Sequence, residues 1–192
     1  MPAARIRSRL SAALVVAAAA CALFAFSAPQ AGATSATATL SAGSLAFISA
    51  PPAVSFSATL DGTNQTPTAA QALDLSDSTG SGAGWNITAT STTFTCCSGN
   101  HSLSTSATTI QSAPNAACDS SVSCTLATNS ITYPYTLPAA GTAPTATKIF
   151  NAAATTGMGD ETVTPTWQLS VPGNSFAGTY TSTWTLSLVS GP

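Results

Sequence analysis

Charge is what this sequence has least of. Its 192 residues hold four Lys and Arg, six Asp and Glu, and a single His. Three of the four bases (Arg5, Arg7 and Arg9) stand in the first nine positions, so beyond residue 33 only Lys148 faces six acids. The formal charge of that part is 1 − 6 = −5. Phosphate binding needs clustered Lys and Arg, which excludes nucleic acid as a partner. An anionic membrane surface is excluded for the same reason. One His, no Gly-x-Ser-x-Gly elbow and no spare thiol leave little for nucleophilic catalysis. The acids stand close together only at Asp160-Glu161 and at Asp74 with Asp77, both read as solvated turns, so no enzyme is predicted.

Long apolar runs are equally scarce. The only one, Leu10 to Phe26, follows the three arginines and precedes Ala31-Gly-Ala33, a small-x-small cleavage pattern. A secretory signal peptide over residues 1–33 is predicted, with an uncleaved anchor as the less favoured alternative. Cleavage there leaves one domain, 34–192, with no membrane association and a destination outside the cell. The closing strand runs into Gly191-Pro192, which predicts no anchor beyond it. Helical periodicity is absent from this part. Cysteine is limited to Cys96, Cys97, Cys118 and Cys124 after the signal, and in an exported chain four cysteines imply two disulfides. Pairing of the neighbours Cys96 and Cys97 would require a strained ring, so each is expected to bond across to Cys118 or Cys124. The spacing fits no zinc pattern, His101 sits alone, and neither metal nor cofactor is predicted.

What is abundant is hydroxyl. Residues 34–192 include 32 Thr and 24 Ser, interleaved with Leu, Val, Ile, Phe and Trp in period 2. Thr is polar and β-favouring, suited to the outward side of a strand. From Tyr180 on, the alternation is strict: Tyr180, Ser182, Trp184, Leu186 and Leu188 share one face, and Thr181, Thr183, Thr185 and Ser187 the other. Gly82-Ala-Gly84-Trp85-Asn86-Ile87 repeats the device. Further strands are predicted over 40–48, 54–60, 85–95, 103–110, 124–137, 145–152 and 163–171, the last alternating through Val163, Pro165, Trp167 and Leu169. Strands at this spacing with turn signals between them predict an all-β fold, an antiparallel β-sandwich of Greek-key-like order in a single domain.

Gly82-Ala-Gly-Trp85-Asn86-Ile87, Gly157-Met-Gly159, Val171-Pro172 and Ala177-Gly178-Thr179-Tyr180 leading to Trp184-Thr185-Leu186 together resemble the WxL domain over roughly residues 40–192. That family consists of secreted surface domains of Gram-positive bacteria held non-covalently on the cell wall. The resemblance implies peptidoglycan or another wall polymer as the ligand. Ile87 stands where the family usually has Leu, and the cysteine-bearing segment 96–124 is an addition to the pattern. Trp85, Asn86, Ile87, Tyr180, Trp184 and Leu186 are the candidate ligand-binding residues, with aromatic faces stacking on sugars and amide or hydroxyl donors beside them. Core packing of both Trp strands is the competing structural reading. Trp167 belongs to no motif and is read as core or rim. A structural surface protein that self-assembles or pairs with a partner surface protein is the alternative function, and a wall hydrolase a remote third. Lys148 also raises a covalent cross-link to Asn151, Asp160 or Glu161, against the simpler reading of an exposed lysine.

Overall fold

The computed structural model describes residues 32–98 and 100–192. The predicted signal segment falls outside the described residues except for Gly32 and Ala33, which are exposed and irregular, as is the chain to Thr39. Residues Leu40–Pro192 form one unit. Among the described residues there is no helix, and fourteen strands follow in order: β1 (Leu45–Phe47), β2 (Thr68–Ala70), β3 (Leu73–Asp77), β4 (Trp85–Thr92), β5 (Thr95–Cys96), β6 (His101–Ser102) and β7 (Thr108–Ile110). The second half supplies β8 (Asn115–Cys118), β9 (Tyr135–Thr136), β10 (Ala139–Ala140), β11 (Thr147–Ala152), β12 (Gly159–Thr164), β13 (Thr166–Leu169) and β14 (Trp184–Ser190).

The fold is all-β as expected, and three four-stranded sheets, mostly antiparallel, contribute to the core. One has the order β1-β3-β12-β8, another β2-β13-β7-β9, and the third joins β10, β4 and β11, with β14 on the other side of β4. A small hairpin, β5-β6, stands apart. Neighbours are antiparallel except β10 with β4. Leu73, Leu75 and Val163 from the first sheet, Ile110 and Trp167 from the second, and Trp85, Ile87, Ile149 and Phe150 from the third meet in one cluster. Burying these side chains is the main favourable contribution to folding, at about 1.5–3 kcal/mol each.

Period-2 patterning located nine of the fourteen strands wholly or in part and missed β2, β3, β6, β8 and β10, which are short; two further departures have physical causes. The alternation from Val163 to Leu169 keeps its inward face, with Val163 and Trp167 fully buried, but the strand divides at Pro165. Proline lacks the N–H that a ladder requires, so β12 and β13 continue the same face in different sheets. Residues 54–60, predicted as a strand, are extended but pair with nothing. Val54 and Phe56 are half-buried, yet residues 53–60 make no backbone-to-backbone hydrogen bond among the described residues. They form a strap across the core rather than a member of a sheet. The acids of Asp74, Asp77, Asp160 and Glu161 lie on strands β3 and β12, not in turns.

The disulfide pairing is corrected. Cys96 bonds to Cys97, and Cys118 to Cys124. The reason is topological: Cys96 ends β5 in the small hairpin, whereas Cys118 ends β8 beside Glu161 of β12, in another sheet. Cys97 is turned into the left-handed region, φ 61°, within the tight β5-β6 turn. The hairpin is tied to the segment before β14 by Thr95 and Thr181, which exchange backbone hydrogen bonds at 3.0 and 2.9 Å. On this segment Phe176 stacks on His101 with ring centroids 3.6 Å apart.

Candidate functional site

The two Trp strands lie side by side. β14 pairs with β4 along its whole length, from Trp184 opposite Ser91 to Ser190 opposite Trp85. β4 is a central strand, flanked on its other edge by β11, and residues on both of its faces are buried. β14 is an edge strand, and its even residues Trp184, Leu186 and Leu188 are half-buried while Thr185, Ser187 and Val189 are exposed. The predicted alternation therefore holds. The predicted continuous strand from Tyr180 does not. Thr183 pairs in the same register as β14, with Thr92 N–H donating to its carbonyl, but Thr181 pairs with Thr95, one residue out of step. Ser182 fills the slip by donating its hydroxyl to the Thr92 carbonyl.

Trp85 is a structural residue. It has no exposed surface, packs at 5.9 Å from Phe150, and its indole N–H donates to the Gly157 carbonyl at 2.7 Å. Gly157 has φ 72°, and a Cβ there would collide with the Trp85 indole and the Ala152 side chain. Gly84, φ 73°, lies so close to Ala152 that a Cβ would strike its carbonyl oxygen. Left-handed backbone and close approach both require glycine here. The Gly82-Ala-Gly-Trp85 and Gly157-Met-Gly159 motifs are thus two halves of one lock around a buried ring. Removing a fully buried Trp side chain costs about 3–5 kcal/mol. Ile87 is likewise fully enclosed, and Asn86, on the opposite face of β4, is 4% exposed with its Nδ2 donating to the Gly191 carbonyl at 2.6 Å. As direct ligand contacts Trp85, Asn86 and Ile87 are corrected, since none presents surface to a polymer.

Tyr180, Trp184 and Leu186 remain together. They line a groove of about 560 Å3 whose other boundary includes Pro51, Pro52 and Val54 of the strap. A second hollow of about 660 Å3 adjoins it beneath Phe56 to Leu60 and shares Val54, Phe94 and Tyr180 with the first. Trp184 belongs to an aromatic cluster: Trp167 meets it edge-on at 4.8 Å, Phe94 edge-on at 6.3 Å, and Phe56 at 6.5 Å. Trp167 itself is fully buried and donates its indole N–H to Gln71 Oε1 at 2.9 Å. Gln71 Nε2 in turn donates to the Pro52 carbonyl at 2.7 Å, which pins the start of the strap.

Phe94 and the strap were not foreseen as site residues. Phe94 lies just past the end of β4, where the register slip turns it toward Trp184, and nothing in a period-2 pattern marks such a slip. The strap was visible as the alternation Val54, Phe56, Ala58, Leu60, but pattern alone does not reveal whether a strand finds a partner.

The titratable groups lie elsewhere. No carboxylate, His, Cys or Lys lines either hollow. Asp74 faces outward on β3, and burial, then the neighbouring Asp119, raise its carboxyl above the usual range. Glu161 points inward from β12 with no exposed surface, and burial raises its carboxyl likewise. Asp77 Oδ1 accepts from the N–H and hydroxyl of Thr79, closing its own turn. Among the described residues no group of three His, Cys, Asp or Glu is placed to hold a metal ion. Lys148 is exposed with Nζ 2.5 Å from the Pro192 backbone oxygen, while Asn151 is buried and accepts from Ser130, so the two are not a cross-linking pair.

Compared with known proteins, the chain matches no curated protein and no solved structure. It matches the family model described as "WxL domain surface cell wall-binding" over residues 28–192, further toward the N-terminus than the motifs alone reach. The match takes in both halves of the lock around Trp85 and the strand that carries Trp184, and the chain belongs to the WxL domain family.

Proposed function

We propose that this protein is a secreted, non-catalytic surface module that binds the cell wall non-covalently, with peptidoglycan as the ligand, through the groove between β14 and the strap. Its family is one of surface cell-wall-binding domains, which supports the general kind of function. One observation carries the site: Tyr180, Trp184 and Leu186 converge on an open, uncharged groove at the edge of the sheet. Without a carboxylate, His, Cys or Lys in its lining to act on a bond or activate a hydroxyl, the groove is suited to holding a polymer rather than cleaving it.

The test is co-sedimentation of the purified protein with peptidoglycan sacculi, wild type beside Tyr180→Ala. Tyr180 is half-buried and its hydroxyl donates to the Phe176 carbonyl at 3.2 Å, so the variant is checked first for an unchanged circular dichroism spectrum. A folded variant that pellets roughly tenfold less well places the site in the groove, about the loss expected for one well-packed aromatic contact. A folded variant that pellets like wild type removes the groove from the site. A wild type that never pellets removes wall binding. A second reading, a structural surface protein built from copies of itself, has the exposed edge of β14 in its favour.

A further inference from the structure

The hydrogen-bond register of β14 determines which of its backbone groups are free. Thr92 N–H donates to the Thr183 carbonyl and Gly191 N–H to the Gly84 carbonyl, both in the register of the β4–β14 pair. In an antiparallel pair the residues that exchange hydrogen bonds alternate with those that do not. The odd residues of β14 therefore bond to β4, and the N–H and C=O groups of Trp184, Leu186, Leu188 and Ser190 point away from the sheet. None of these groups is used elsewhere among the described residues. This edge also lacks the devices that usually protect one: it is seven residues long, with no charge, proline or bulge.

The groove runs along the first part of this edge, at Trp184 to Leu186, and its strap side is backbone without ladder partners too. Most of the groups a sugar would need are already engaged. Trp184 is surrounded by Trp167, Phe94 and Phe56, both ends of the Gln71 amide are bonded, and the Tyr180 hydroxyl donates to Phe176. The hydroxyls of Thr181 and Thr185 remain, and beside them the unpaired main chain of Trp184 and Leu186, which is the longer row of free donors and acceptors. Free strand edges recognise extended peptides, with backbone hydrogen bonds supplying affinity and alternate side chains fitting pockets.

We infer that the moiety of the wall polymer held here is its short peptide, added as a strand to the Trp184–Leu186 edge, rather than its glycan. The inference rests on the wall-binding reading above. An uncharged lining favours a stretch of small neutral residues, such as the alanine-containing peptides of peptidoglycan, and gives no grip on their carboxylates. The occupant bonds through its own N–H and C=O to Trp184 and Leu186, with a small side chain set against the Phe94–Tyr180 hollow.

Three wall preparations test this: intact sacculi, glycan strands stripped of peptide by an amidase, and the released peptides as soluble competitor. Binding to intact sacculi, its loss on the stripped glycan and displacement by the released peptides is the expected result. Full binding to stripped glycan overturns the inference and leaves wall binding standing. No binding to intact sacculi overturns the wall reading itself. Two variants address the edge. Leu186→Pro removes the outward N–H, which an edge strand tolerates, and Leu186→Ala removes only the side chain. The proline variant is expected to bind about tenfold more weakly than the alanine variant, the effect of one lost hydrogen bond plus misfit. Equal binding by the two folded variants overturns the pairing. Should the proline variant not fold, hydrogen exchange on wild type decides: the Trp184 and Leu186 amides exchange rapidly in the free protein and become protected by the released peptides. Protection already present without peptide, in a protein that sediments as a dimer, makes a second copy the occupant and overturns the inference.

Discussion

Glu161 has no exposed surface; its Oε2 accepts from the Ala127 N–H at 3.1 Å and its Oε1 has no partner. Burial raises its carboxyl above the ordinary 4.5, Asp119 and Asp77 add to the effect, and the Ala127 N–H opposes it. The folded protein thus binds this proton more tightly than the unfolded chain. The stability that protonation supplies is fully present below the unfolded value and is lost as pH rises through the raised folded one. Glu161→Gln is neutral at every pH and keeps an acceptor for Ala127. It is expected to be more stable than wild type at pH 7, with the difference shrinking toward pH 4, as read from urea midpoints. A variant less stable than wild type at pH 7 would show that the Ala127 bond to the carboxylate outweighs the burial. Other single residues explain themselves more readily. The indole lock of Trp85 on Gly157 accounts for both glycine motifs, and it was half legible: the motifs were visible, their contact 72 residues apart was not. Sequence shows which residues are large and apolar, but which of two Trp rings is central and which lies at an edge depends on strand order.

Strand positions were more legible than strand partners. A period of two identifies an extended segment and its inward face, and it did so for β4, β11, β14 and the β12–β13 pair. It carries no information on which backbone supplies the hydrogen bonds, so the strap at residues 53–60 passed for a strand and the split at Pro165 passed for continuity. The disulfides illustrate the same limit, since their pairing follows from the separate sheets of β5 and β8. A non-reducing proteolytic digest is therefore expected to yield the Cys96–Cys97 peptide free of any peptide containing Cys118 or Cys124. A peptide linking the two regions would contradict the topology. The Cys118–Cys124 bridge spans only six positions, and a loop this short contributes about 2 kcal/mol through chain entropy. Reduction should accordingly lower stability without abolishing the fold, which denaturant titration with and without reductant measures.

At the scale of the whole molecule, the scarcity of charge becomes a statement about how it binds. Residues 32–192 have one base and six acids, and both hollows are lined without charge. An anionic domain approaching an anionic wall gains nothing from long-range attraction, and its weak repulsion is screened with a Debye length of about 10 Å at 0.1 M salt. On the reading proposed above, binding comes from short-range contacts: main-chain hydrogen bonds along β14 and apolar packing against Phe94, Tyr180 and Val54. Neither is weakened by simple salt, and apolar burial is strengthened by excluded salts such as sulfate. Co-sedimentation with sacculi is therefore expected to stay constant or rise slightly from low to high sodium chloride, and to rise further in sodium sulfate. A contact carried by Lys148, or by the acids through bridging cations, would instead fall steeply as ionic strength increases or on adding a chelator. A steep fall would move the site away from the groove to the charged surface near Asp74, Asp119 and Asp160. Constancy, together with loss in Tyr180→Ala, would confine it to the groove, where unpaired backbone of β14 lies beside the half-buried rings of Tyr180 and Trp184.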